Sequence, residues 1–257
     1  MAIARNQLER THAGKAIASA GKRTVREALL AAFVEKIVSG EMPEGSTLPN
    51  ESELTDQFNV SRTSLRETMQ YLSAIGMIRS RTRAGTAVLP RENWNYLDPL
   101  VLDVMLSLGG DESFYTSLLD ARQILEPAAA EHAARNATAR QLSRIAQAFE
   151  DMVDANARDN EEWSRADLEF HTAIINASGN WVYRQFASAI RAALLASFRL
   201  TNRASQSQEQ AIQKHHDVLE AIRLRDPVAA RRAMEILIGV ARAEITDALR
   251  VATIKSK

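Results

Sequence analysis

The sequence predicts a mainly α protein, with an N-terminal winged helix-turn-helix and a C-terminal all-α antiparallel helical bundle. Three observations carry this reading. Apolar residues recur at helical intervals across residues 24–75 and again across 100–250. Two short β-like segments, 77–81 and 85–89, interrupt that periodicity once. With only 10 Gly, 6 Pro and 5% aromatic residues in 257, the composition favours helix.

Bulk composition narrows the class further. A hydrophobic content of 46% with 25% charged residues fits a globular protein with a sizeable core. The absence of Cys excludes disulfides and thiolate chemistry. No apolar run reaches the ~18 residues of a membrane span and no export signal is present, so a cytoplasmic protein without a membrane partner is expected. Formal net charge is zero, but its distribution is uneven. Residues 1–90 carry 12 Lys and Arg against 9 acids, and the remainder 20 against 23. Five Arg (62, 66, 79, 81 and 83) lie between residues 61 and 83 with one acid, Glu67, which marks a local phosphate-binding surface.

Taken in order, residues 1–23 show no sustained amphipathic pattern and read as a loose tail. Val25, Leu29, Phe33 and Ile37 repeat every fourth residue and predict a helix that Gly40 caps. Residues 51–58 form a second short helix with Leu54 and Phe58 inward, and Asn59-Val60 make the turn. The next helix runs from Arg62 to about Ile75, where Gly76 stops it. Ser61 sits at its N-cap. At ~100° per residue, Leu65, Met69 and Leu72 form its apolar stripe. Arg62, Thr63, Arg66 and Gln70 form the neighbouring sector. Such a front suits a DNA major groove, with Ser61, Thr63 and Ser64 positioning the helix start and Arg62 and Arg66 reading bases or gripping phosphates. The β-like segments then make a hairpin wing tipped by Arg81 and Arg83. The winged unit is thus expected over 24–90 and a linker over 91–99, with Trp94 and Tyr96 pinning the linker to a domain.

The helical domain is expected over 100–251, in segments 100–108, 112–135, 138–158, 160–177, 181–204, 206–224 and 227–250. Pro127 should kink or split the second of these near Leu125, because proline removes one backbone bond and clashes with the preceding turn. Asp167 and His171 stand four residues apart on one helix face, with Ile174 and Ser178 in the same sector. A carboxylate and an imidazole so placed can share a divalent ion, although such a pair is more often simply hydrogen-bonded. His215 lies on the stripe of Val218, Leu219 and Ile222, as a core histidine would.

The N-terminal unit resembles the GntR superfamily of bacterial transcription regulators in Gly40, Gly45, Leu48-Pro49, Glu51, Leu54, Val60-Ser61-Arg62, Arg66-Glu67, Leu72, Gly76-Met77-Ile78 and Gly85. The remainder is similar to the FadR-type subfamily and its FCD effector domain. The matching residues are Arg122-x-x-x-Glu126-Pro127, Asp167-x-x-Phe170-His171, Ala177-Ser178-Gly179-Asn180, and His215 six residues before Ala221-Ile222. The linker, followed by Val101-Leu102, is similar to that of repressors of sugar-acid operons.

The resemblance implies a homodimer on a palindromic double-stranded operator and a small carboxylate effector, a sugar acid such as galactonate or gluconate, that relieves repression. It implies that Arg122 receives the effector carboxylate, with Asn180, Arg199 and His216 as further pocket candidates. It also implies a divalent metal, zinc first and nickel or manganese as alternatives, on Asp167, His171, His215 and a further His. That last ligand is expected about 22 residues past His215, where this chain has Leu237. Either three protein groups hold the ion and water or effector completes it, or Asp167 and His171 bind effector hydroxyls directly. His216 is a possible substitute ligand, but its helical phase is ~100° away from His215. Other readings are a regulator of a different carboxylate (a 2-hydroxy acid or uronate), a metal-dependent enzyme using Asp167, His171 and His215, and an architectural DNA-binding protein without effector. No placed base or nucleophile with a recognisable motif supports the enzyme.

Overall fold

The computed structural model describes residues 25–81, 85–108, 112–155, 160–201 and 205–255. The expected tail at 1–23 and the wing residue Arg83 lie outside them. The chain divides into two compact units between Gly109 and Gly110.

In the first unit, α1 (Val25–Val38), α2 (Glu51–Phe58) and α3 (Arg62–Ala74) pack around Leu29, Phe33, Leu54, Phe58, Leu65 and Leu72. Phe33 stacks on Phe58 with ring centroids 4.6 Å apart. Asn50 starts α2 with a reciprocal cap: its side chain accepts from Glu53 N at 3.0 Å, and Glu53 Oε2 accepts from Asn50 N at 2.9 Å. Asn59, at φ 54°, takes the left-handed conformation that turns the chain into α3.

The buried stripe of α3 is Leu65, Thr68 and Leu72, while Met69 is only half-buried. Thr68 replaces Met69 in the expected stripe because its hydroxyl is satisfied inside the helix, donating to Ser64 O at 2.9 Å. Strands β1 (Ile78–Arg81) and β2 (Gly85–Val88) pair antiparallel, Ile78 opposite Val88 and Arg81 opposite Gly85, and Thr47 bridges to Ala87 on the other edge. Gly76, at φ +75°, cannot be replaced without strain: a Cβ there would sit 2.1 Å from the backbone oxygen of Asn93.

After the hairpin the chain stays on this unit. Trp94 is buried and its indole donates to Leu89 O at 2.9 Å. Asp98 caps α4 (Pro99–Ser107), Oδ1 accepting from Leu100 N at 3.0 Å and Val101 N at 3.3 Å. Its Oδ2 accepts from the Tyr71 hydroxyl of α3 at 2.6 Å. Helix α4 packs on α1 and buries Val101, Leu102, Val104, Met105 and Leu106. The division along the chain therefore falls after α4 rather than at residue 100, because the apolar face of α4 finds its partner in α1.

The second unit contains α5 (Glu112–Asn136), α6 (Ala139–Ala155), α7 (Asn160–Ala177), α8 (Ala187–Thr201), α9 (Ser205–Arg223) and α10 (Pro227–Lys255). Helices α5 and α10 run antiparallel, as their cross-links show: Arg242 bonds Asp120 at 2.5 Å and Arg231 bonds Glu131 at 3.0 Å. Alanines 129, 130, 133 and 134 let α5 approach α7, α9 and α10 closely, in one core with Phe170, Ile222, Met234 and Ile238. Helix α5 continues through Pro127 instead of splitting near Leu125. Residues on both sides are fully buried, Glu126 in a polar cluster and the alanines in the core, so packing outweighs the missing backbone bond. Arg225, at φ 59°, turns α9 into α10, and its guanidinium donates to Ala134 O at 3.2 Å and Ala137 O at 2.5 Å at the end of α5. No described helix is long and apolar enough to cross a membrane.

Candidate functional site

The first unit presents one basic edge. Ser61 caps α3, accepting from Ser64 N at 3.1 Å, and the two hydroxyls lie 3.0 Å apart. Arg62 and Thr63 are exposed beside this cap. Arg66 is also exposed, but its Nε pairs with Glu51 at 3.1 and 3.3 Å, so its guanidinium is engaged by α2. Arg79 and Arg81 are exposed on β1. A groove lined by Leu48, Arg66, Met69, Gln70, Ser80 and Thr86 runs between α3 and the hairpin. The helix front and the wing therefore share one concavity.

The second unit holds a buried polar cluster inside an apolar core. Helical phase puts Asp167 and His171 on the inner face of α7, and α9 supplies His215. All three are 2% exposed, and one ligand atom from each lies within 4.8 Å of the others. His215 Nε2 is 2.8 Å from Asp167 Oδ1, and His171 Nε2 is 3.8 Å from it. The other imidazole nitrogens face acceptors. His215 Nδ1 lies 2.6 Å from Ala211 O, and His171 Nδ1 meets the Glu126 carboxylate. Glu126 in turn accepts from Arg122 Nε at 2.5 Å, with both residues 1% exposed. Burial pushes the Glu126 carboxyl up. The Arg122 charge, followed by the charge and hydrogen bond of His171, outweighs it and holds the carboxyl at about 2. Arg122 Nη1 has no hydrogen-bond partner among the described residues.

This donor set fits a divalent ion. With each Nδ1 beside an oxygen acceptor, both Nε2 atoms are left on the side of the Asp167 carboxylate. Imidazole and carboxylate together suit zinc, nickel or manganese, with three protein ligands and positions open to water or ligand. Leu237 is 6% exposed within the apolar core and adds no donor.

Other sequence candidates fall elsewhere. Asn180 builds the turn after α7, its Oδ1 accepting from Val182 N at 2.9 Å and Tyr183 N at 3.4 Å. His216 is exposed on α9 and its ring faces Phe149, so it is not a ligand beside His215. The reason is the helical phase already noted. Arg199 belongs to α8, with its side chain outside the described residues. Two residues of the cluster carried no assigned role in the sequence reading. Glu126 has a visible signal in its spacing of four from Arg122. Trp163, 1% exposed on α7, stands one turn before Asp167.

Comparison with known proteins supports the division. Residues 25–88 match the family described as bacterial regulatory proteins, gntR family, and residues 117–239 match the FCD domain. The galactonate operon transcriptional repressor of Escherichia coli (strain K12) is 35% identical over 206 residues, covering 80% of this chain and 90% of that one. The HTH-type transcriptional repressor NanR of Cronobacter sakazakii is 30% identical over 233 residues, covering 84% and 85%. Among solved structures, Lar, which controls expression of the Listeria monocytogenes agr system, shares the fold at a TM-score of 0.61 and 18% identity, covering 88% of this chain and 98% of that one.

Proposed function

The chain belongs to the GntR family of bacterial regulatory proteins, in the FadR-type subfamily with an FCD domain, and is a DNA-binding transcription regulator rather than an enzyme; from that premise we propose that it represses a sugar-acid catabolic operon and is released when an aldonate binds in the FCD domain. In this reading it acts in the cytoplasm as a homodimer on a palindromic operator. The exposed front of α3 enters the major groove, Ser61, Thr63 and Ser64 set its register, and Arg62 contacts a base or phosphate. Arg66 joins the contact after exchanging Glu51 for DNA, and Arg81 with Arg83 adds phosphate contacts from the wing.

One observation carries the effector site: a buried cluster of Asp167, His171, His215, Glu126 and Arg122 in a largely apolar core, with Arg122 Nη1 left without a hydrogen-bond partner among the described residues. A buried guanidinium N–H in that position suits a carboxylate, and guanidinium–carboxylate pairing is a strong, geometrically specific anchor. Asp167, His171 and His215 would hold a divalent ion, which when bound would supply a Lewis-acidic contact for an effector oxygen. The protein's own residues hold the anion, fix both imidazoles and exclude water. The 35% identity with a galactonate operon repressor favours an aldonate over other acids. Binding changes DNA affinity only to the extent that the acid prefers one arrangement of the dimer.

A thermal-shift series with D-galactonate, D-gluconate, uronates and 2-hydroxy acids, run with and without chelator, tests this. An effector at 100 times its Kd stabilises by about 2.7 kcal/mol, a rise of roughly 5–10 °C in a domain of this size. Operator binding in a mobility-shift assay should weaken with the same compound. A shift confined to uronates or 2-hydroxy acids reassigns the effector. No shift with any acid removes the effector reading.

A further inference from the structure

We infer that Trp163 is the hydroxyl-reading residue of the effector pocket, its indole N–H donating to an oxygen of the bound acid away from the carboxylate. This rests on the effector reading above and goes beyond it by naming a specificity residue and the ligand feature it selects.

Trp163 is 1% exposed, and its Nε1 has no hydrogen-bond partner among the described residues. An indole is a donor only, so no rearrangement of its own proton can satisfy it. Buried tryptophans ordinarily find an acceptor, because an orphaned buried donor is costly. The ring packs within the apolar core of this unit and also borders the polar cluster. Trp163, Asp167 and His171 follow one another at four-residue intervals on α7. The Trp163 ring stands edge-on to the His215 ring, with centroids 6.4 Å apart and planes at 84°. The indole therefore belongs to the wall of the cluster.

Arg122 approaches that cluster from the other side, through Glu126 and His171. Trp163 precedes His171 by two helical turns, about 12 Å along the axis. The cluster thus has an anion-receiving end and a donor end. A ligand satisfying both carries a carboxylate and at least one further oxygen well removed from it. A polyhydroxy acid meets this requirement. A short 2-hydroxy acid or an unsubstituted fatty acid leaves the indole unpaired.

Trp163→Phe keeps an aromatic ring and deletes the donor. In full-length protein it should weaken D-galactonate or D-gluconate binding about tenfold by calorimetry, while leaving the response to hexanoate unchanged. The second measurement needs no folded variant at position 163. The protein has three Trp, at 94, 163 and 181, so ¹⁵N-indole labelling yields three signals. Trp94→Phe and Trp181→Phe assign the remaining one to Trp163. That signal should move on adding the acid, and the others should not.

If an acid stabilises the wild type but leaves the Trp163 signal in place, the inference fails and the effector reading stands. Undiminished binding to a folded Trp163→Phe variant has the same meaning. If no acid stabilises the wild type, the effector reading itself fails and takes the inference with it.

Discussion

Replacing Glu126 by Gln isolates the electrostatics of the buried cluster. In the wild type the carboxylate faces the Arg122 guanidinium and the His171 imidazole, and none of the three touches bulk water. The ordinary carboxyl value of 4.5 falls to about 2. At roughly 1.4 kcal/mol per unit, ionised Glu126 contributes on the order of 3 kcal/mol to folding. Because the folded-state value is depressed, this contribution is present above the unfolded value and is lost as pH falls from about 5 to 2. Glu126→Gln removes the carboxylate charge and leaves Arg122 buried without its counter-ion, a loss of roughly 3–5 kcal/mol at pH 7. Urea unfolding of both proteins between pH 7 and pH 2.5, followed by far-ultraviolet circular dichroism, reads the difference. Other carboxylates titrate in both proteins and cancel. The wild-type advantage should be constant above pH 5 and shrink by most of the 3 kcal/mol below it. An advantage that stays flat across the whole range refutes the claim that Glu126 is ionised between Arg122 and His171.

Gly76→Ala should destabilise the first unit by at least about 1–3 kcal/mol, since the new Cβ meets Asn93 O and the backbone is left-handed; thermal denaturation reads this directly. Tyr71→Phe loses the bond to Asp98 and about 1 kcal/mol. Burial, reinforced by Asp98, raises the Tyr71 hydroxyl to about 12, so the wild-type advantage is complete below pH 10 and disappears between pH 10 and 12. Arg62→Ala should weaken operator binding and lower the salt slope by about 1 if the contact is to phosphate; unchanged binding refutes the assignment of α3 to the groove. Glu51→Gln releases Arg66 and removes a negative charge beside it, so operator affinity should rise severalfold in the same mobility-shift assay.

Much of the architecture was legible because hydrophobic period is a direct image of burial. The boundaries of α2, α3, α5, α7 and α9 follow it closely, whereas the segment expected from 181 becomes helix α8 only at Ala187, after a 3-10 turn at Tyr183–Phe186. The trio of Asp167, His171 and His215 was legible through phase, since two of its members share one helix face. The differences arise where tertiary contacts override local rules. Thr68 looks polar until its hydroxyl is seen to bond within the helix. Pro127 looks like a break until the packing on both sides is counted. Helix α4 reads as the start of the bundle, yet its apolar face is taken by α1. The roles of Glu126, visible only as a spacing of four from Arg122, and of Trp163 were less legible for another reason. Their importance lies in which atoms they face, and one side chain's periodicity cannot report its neighbour's lone pairs.

Asp98 divides its two oxygens between helices: one fixes the first turn of α4, the other holds Tyr71 of α3. In mechanical terms the carboxylate is a rivet joining the reading head to the strut that follows it in the chain. Torque applied to the first turn of α4 cannot dissipate in a slack linker. It is passed through that bond to Tyr71, in the last turn of α3 and on the side opposite Arg62.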